Sequence, residues 1–117
     1  MATTLVILND PPYGTERSYN GLRLATSLAK REGERVRVFL MGDAASCAKA
    51  GQKVPTGYYN VESMLKVLGG HEVPVGVCGT CLDARGIKES DLIQSAHRSS
   101  MDELTSWTIE ADKLVVF

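Results

Sequence analysis

The sequence predicts an α/β protein: a three-layer α/β/α domain built on a mainly parallel sheet of about five strands. Three observations carry that prediction. Short, nearly continuous apolar runs recur along the chain, as strands buried on both faces do. Amphipathic stretches with apolar residues at helical spacing separate them, as parallel crossovers require. The chain has 117 residues, 44% hydrophobic and 23% charged, which suits one ordinary globular unit; residues 1–117 are expected to form a single domain.

Leu5 to Asn9 reads as the first strand, ending in the turn-forming cluster Asn9-Asp10-Pro11-Pro12-Tyr13-Gly14. Ser18 to Arg31 places Tyr19, Leu22, Leu24-Ala25 and Leu28-Ala29 at helical spacing, with Ser18 as N-cap and Gly33 closing the helix. Val36 to Met41 is the second strand, stopped by Gly42-Asp43. Asp43 is expected to cap a short Ala-rich helix, Ala44 to Ala50. Gly51 to Tyr59 reads as a polar loop, and Asn60 as the N-cap of a helix over Val61 to Leu68, ended by Gly69-Gly70. Pro74 bars any helix from continuing into the third strand, Val75 to Val77.

A short helical stretch then runs from Cys81 to near Gly86, and Asp91 to Ile93 begins another. Ser95 to Arg98 is marked as a short strand. Ser99-Ser100 opens the last helix, Met101 to Asp112, with Leu104, Trp107-Thr108 and Ala111 on one face. Leu114 to Phe117 is the closing strand.

Charge and composition exclude several functions. A formal net charge of −1 and the lack of a Lys/Arg run give nothing to hold nucleic acid phosphates. The apolar run Leu5 to Leu8 is too short for a signal-peptide core, and no stretch approaches a membrane span. The expected setting is the cytoplasm. Three cysteines, an odd number, point to free thiols in a reducing compartment rather than a disulfide framework.

In open parallel sheets, reactive groups collect beyond the carboxyl ends of the strands. Three loops stand there: Asn9 to Gly14, Gly42 to Cys47 and Cys78 to Gly86, and two of them hold all three cysteines. Cys78 closes an apolar strand, and Cys81 follows three residues later in the expected first helical turn. Amide N–H groups of such a turn favour a thiolate, the form that attacks, carries sulfur or binds metal. Arg85 is placed to add positive charge, and Asp83 to oppose it. Cys47, among small residues, reads as a buried structural cysteine; Asn9 and Tyr13 have turn and packing explanations. The two histidines are isolated.

The Cys-x-x-Cys pair leaves three chemistries open: dithiol–disulfide exchange, zinc binding and persulfide carriage. A structural zinc site needs four ligands, and only Cys47, His71 and His97 remain to complete one, in no ligand pattern. No metal or cofactor is therefore expected within the chain. A Gly-x-Gly-x-x-Gly or Walker-type loop is missing after the first strand, and no Gly-x-Ser-x-Gly marks a hydrolase.

Several motifs in order resemble the DsrE/DsrF-like sulfur-relay family, and most closely its YchN-like branch. They are Asn9 to Gly14 with Asn20 to Ala25, Phe39 to Ala44, Gly51-Gln52-Lys53, Gly57 to Asn60, Cys78-Gly79-Thr80-Cys81 and Asp83 to Ile87. Trp107-Thr108 and Ala111-Asp112-Lys113 complete the set, which spans nearly the whole chain. The resemblance implies a sulfurtransferase-type carrier in which Cys78, eight residues before Gly86, holds the persulfide. Members in relay complexes usually lack a cysteine at the position of Cys81, which leaves a resolving or redox role open for it. The resemblance further implies a homotrimer or homohexamer with cysteines near subunit contacts, where Cys47 approaches the pair from its own or a neighbouring subunit. Its implied partners are sulfur donor and acceptor proteins. A dithiol oxidoreductase using Cys78 and Cys81, and an oligomeric thiol or metal-binding module, stand as the alternatives.

Overall fold

Five parallel strands form one sheet in the order β4-β3-β2-β1-β5 in a computed structural model that describes residues 1–117. They are β1 (Ala2–Leu8), β2 (Glu34–Leu40), β3 (Val75–Cys78), β4 (Ala96–Ser99) and β5 (Lys113–Val116). Four helices connect them: α1 (Arg17–Ala29), α2 (Val61–Gly70), α3 (Gly79–Ala84) and α4 (Met101–Glu110). No helix is long and apolar enough to cross a membrane.

Side chains alternate across a strand, so β1 and β2 each feed two cores. Val6, Leu8, Val36, Val38, Leu40, Val75 and Val77 face one way. They pack against Leu22 and Ala25 of α1, Val61, Leu65 and Leu68 of α2, and Leu82 of α3. The intervening Leu5 and Phe39 face the other way, against Leu104 and Trp107 of α4. One face is thus thickly covered, and the other rests on a single helix.

Most of the expected elements are present, with shifted ends. Ser18 does not cap α1. It lies inside the helix, fully buried, and its hydroxyl donates to the Asp10 carbonyl at 2.7 Å. Asn60 does cap α2, accepting the Ser63 N–H at 3.0 Å. The segment after β2 is a 3-10 helix, Gly42–Ala48, rather than an α-helix from Ala44. Asp43 sits in its first turn without capping it. The helix expected to begin at Asp91 does not form: a 3-10 turn, Glu89–Asp91, ends there, and Leu92 and Ile93 turn into the core. The short strand near Ser95 is β4, and its register sets Gly76 beside His97 and Cys78 beside Ser99. Gly21 lets α1 approach the sheet closely: a Cβ there would strike the Leu8 side chain and touch the Phe117 ring.

Candidate functional site

β3 ends at Cys78, whose backbone then turns directly into α3. The helix starts at Gly79, two residues earlier than Cys81, so Cys78 itself occupies the N-cap. That position suits a side chain able to accept the N–H two or three residues on, and here sulfur does so: Cys81 N–H points at Cys78 Sγ at 3.4 Å. The Thr80 hydroxyl lies 3.5 Å from the same sulfur. Because α3 has only six residues, these direct contacts matter more than any helix dipole.

Cys78 and Cys81 are joined as a disulfide, with their Cα atoms 5.2 Å apart. Both are half-buried at the carboxyl rim of the sheet. They look in different directions. Cys78 packs beside the α4 cluster, near Ile7 and Met41, whereas Cys81 packs against the thick core under α1 and α2. A second amide reaches the pair from the neighbouring strand's loop, for Gly42 N–H donates to Cys81 Sγ at 3.2 Å. Gly42 stands at φ 59°, a left-handed conformation in which glycine carries no steric penalty.

Arg85 does not direct its charge at sulfur. Its Nη2 and Nε reach Asp43 Oδ1 at 2.5 and 3.1 Å, and its Nη1 donates to the Cys81 carbonyl at 3.0 Å. Asp83 likewise faces away, into a two-pronged pair with Arg98 at 2.8 and 2.9 Å. Hydrogen bonding from Arg98 holds the Asp83 carboxyl below the usual carboxylate range. The two charges weighed against each other in the sequence are therefore each neutralised by a partner, and they tie α3 to the Gly42 loop and to β4.

Asn9 also has a structural task. Its side-chain amide and its backbone N–H both donate to the Phe117 carbonyl at 3.1 Å, clasping the end of the chain to β1. Cys47 is fully buried in the thick core, and its thiol donates to the Asp10 carbonyl at 3.6 Å. Burial pushes that thiol up to about 12, beyond any ordinary nucleophilic range.

The α4 face carries a polar cluster absent from the sequence-based reading. Glu103 accepts from the Ser99 hydroxyl at 2.6 Å and contacts His97 Nε2. Burial would raise the Glu103 carboxyl, but bonds from Ser99 and His97 and the charges of His97 and Arg37 hold it below the usual range. Its carboxylate lies over Gly76, where a Cβ would meet Glu103 Oε1 at 3.3 Å. The signal was legible: Ser100-x-x-Glu103 has the capping-box spacing, and Ser100 Oγ does accept the Glu103 N–H at 3.3 Å. The reciprocal half is diverted to the sheet, two residues from Cys78.

Comparison with known proteins adds to this geometry. The family model described as "DsrE/DsrF-like family" matches residues 3–117. Protein YchN of Escherichia coli K12 is 41% identical over the whole of both chains, and an uncharacterised protein of Methanocaldococcus jannaschii, MJ0989, is 39% identical over 96% of each. The crystal structure of the E. coli ychN protein superposes over all of both chains with a TM-score of 0.94. A protein of unknown function from Methanobacterium thermoautotrophicum, MTH1491, is 13% identical with a TM-score of 0.78, a likeness of fold alone.

Proposed function

This chain belongs to the DsrE/DsrF-like family, and from that premise we propose that it is a persulfide carrier, accepting sulfur on Cys78 and passing it to a partner thiol. Membership supports a role related to sulfur relay. The observation that carries the finer reading is the rim position of Cys78: a half-buried cysteine at the end of a parallel strand, its sulfur met by the Cys81 amide. The buried Cys47 offers no comparable thiol.

The chemistry balances without a cofactor. Cys78 thiolate attacks the outer sulfur of a donor persulfide, R–S–SH, forming Cys78–S–SH and releasing R–S⁻. An acceptor thiolate then attacks that outer sulfur and frees Cys78 as thiolate. The N–H of Cys81 favours the anion before attack and after release. The partners of this reading are a sulfur donor protein and a sulfur acceptor protein, its setting the cytoplasm and its assembly a homo-oligomer.

One observation favours a second reading. The Cys78–Cys81 disulfide is the oxidised form that a dithiol–disulfide oxidoreductase would cycle. Intact-mass spectrometry after incubation with a low-molecular-weight persulfide separates the two. The carrier reading expects Cys81→Ser to gain one sulfur atom and Cys78→Ser to gain none. Loss of all uptake in Cys81→Ser, with reversible disulfide formation in the unaltered protein, would replace it with the oxidoreductase.

A further inference from the structure

We propose that Cys81 is the thiolate that clears sulfur from Cys78, and that Gly42, locked by the Asp43–Arg85 pair, is the positioning residue that keeps Cys81 ready. This rests on the carrier reading and deepens it. Four features meet at this point. Gly42 N–H donates to Cys81 Sγ at 3.2 Å. Asp43, the next residue, holds the Arg85 guanidinium through two nitrogens. Arg85 donates back to the carbonyl of Cys81 itself at 3.0 Å. Finally, the left-handed φ of 59° at Gly42 turns the chain from that amide into the 3-10 segment, where Asp43 follows.

Together they form a two-point clamp between neighbouring loops. One point is amide to sulfur; the other is carboxylate to guanidinium, anchored on the same two residues' neighbours. A hydrogen bond from an N–H to an anionic acceptor is stronger than one to a neutral acceptor, so the clamp favours the Cys81 thiolate over the thiol. Room does not explain the glycine: the nearest atom to a Cβ at Gly42 would be the Asn9 carbonyl oxygen, at 3.9 Å. Backbone conformation does.

The step this prepares is intramolecular. Cys81–S⁻ attacks the inner sulfur of Cys78–S–SH, the Cys78–Cys81 bond forms, and HS⁻ leaves with the electron pair of the broken S–S bond. The product is the disulfide seen in the structure. An external thiol resets it: its thiolate attacks Cys78 Sγ and expels Cys81–S⁻, again onto the Gly42 amide, and a second thiol equivalent then frees Cys78 as a mixed disulfide is reduced. A persulfide with no acceptor is thereby discharged instead of persisting.

Several charged groups surround the pair. Asp43 comes from the 3-10 segment, Asp83 from α3, Arg85 from the C-cap of α3, Arg98 from β4 and Glu103 from α4. Their arrangement makes Asp43→Asn diagnostic. If Asp43 acted only by its charge, removing it would lower the Cys81 thiol. As part of the clamp, its loss frees Arg85, loosens Gly42 and raises the thiol.

The test is the pH dependence of iodoacetamide alkylation of Cys81 in reduced Cys78→Ser protein. The midpoint is expected below the ordinary thiol value of roughly 8.5, and Asp43→Asn in that background is expected to raise it by about one unit. Asp83→Asn, which breaks the other ion pair of α3, is expected not to raise it. In protein retaining both cysteines, preloaded on Cys78, Asp43→Asn should slow HS⁻ release at pH 7 severalfold while loading of Cys78 persists. A midpoint at or above 8.5 in the Cys78→Ser background, or a downward or null shift with Asp43→Asn, would overturn the inference. Failure of Cys78 to load in Cys81→Ser would sink the carrier reading itself, a separate outcome.

Discussion

Cys47 and Cys78 begin from nearly the same arrangement and end as opposites. Each lies at or beyond the carboxyl end of a buried parallel strand, β2 or β3, and those strands are neighbours in the sheet. Cys78 closes its strand at the rim, half-buried, with an amide on its sulfur. Cys47 lies seven residues past the end of β2, and there the 3-10 segment has carried it under the thick core until no surface remains exposed. A strand end is therefore not sufficient to make a thiol reactive. What separates the two is whether the segment behind the strand stays on the rim or folds beneath the helices.

The largest effect that sharpens this contrast is kinetic. In the reduced native protein at neutral pH, Cys47 should alkylate on the order of a thousandfold more slowly than an ordinary thiol, from its thiolate fraction alone. Peptide mapping after timed iodoacetamide exposure checks this; comparable labelling of all three cysteines would break the contrast.

Next in size is alkaline stability. The folded value for Cys47 is about 12 against 9.0 when unperturbed, so the folded state keeps a proton that the unfolded state gives up. Unfolding is then linked to proton release, and the stabilisation present below 9.0 is lost as pH rises toward 12. The unaltered protein should lose about 1.4 kcal/mol per pH unit in this window relative to Cys47→Ala. Urea melts at pH 8 and pH 10 on both proteins measure it; parallel losses would show that Cys47 titrates freely.

A smaller effect tests the crowding beside Cys78. At Gly76, a Cβ would meet Phe39, Glu103 and Ser99 atoms at 3.2–3.3 Å, so Gly76→Ala should cost about 1–3 kcal/mol in a denaturant melt. The smallest concerns acid. The Glu103 carboxyl lies below its unfolded value, so it contributes stability above that value that disappears as pH falls through the folded one. Glu103→Gln should flatten the decline in Tm between pH 5 and pH 3, leaving Tm at neutral pH lower by a few degrees.

Much of this was legible in residue order. The alternation of Val6, Val38 and Val77 with helical spacing in α1 and α2 specified a covered parallel sheet, and the Cys-x-x-Cys at a strand end marked the candidate site. The burial of Cys47 was legible too, from its small-residue surroundings. What the sequence hid were the long-range partners. Arg85 and Asp83 stand near Cys81 in the chain, and proximity suggested that they act on sulfur; their partners, Asp43 and Arg98, lie 42 and 15 residues away. Ser18 looked like a cap because it precedes an apolar periodic run, yet the Asp10 carbonyl claims its hydroxyl. Tertiary hydrogen bonds redirect side chains that local rules assign to their own helix.

The measurement that tests the central claim most directly is site-resolved peptide mass spectrometry of the reduced protein after incubation with a low-molecular-weight persulfide, in the Cys81→Ser background. The account expects one added sulfur on the peptide containing Cys78 and none on the peptide containing Cys47. Sulfur on Cys47, or no sulfur on Cys78, would contradict it.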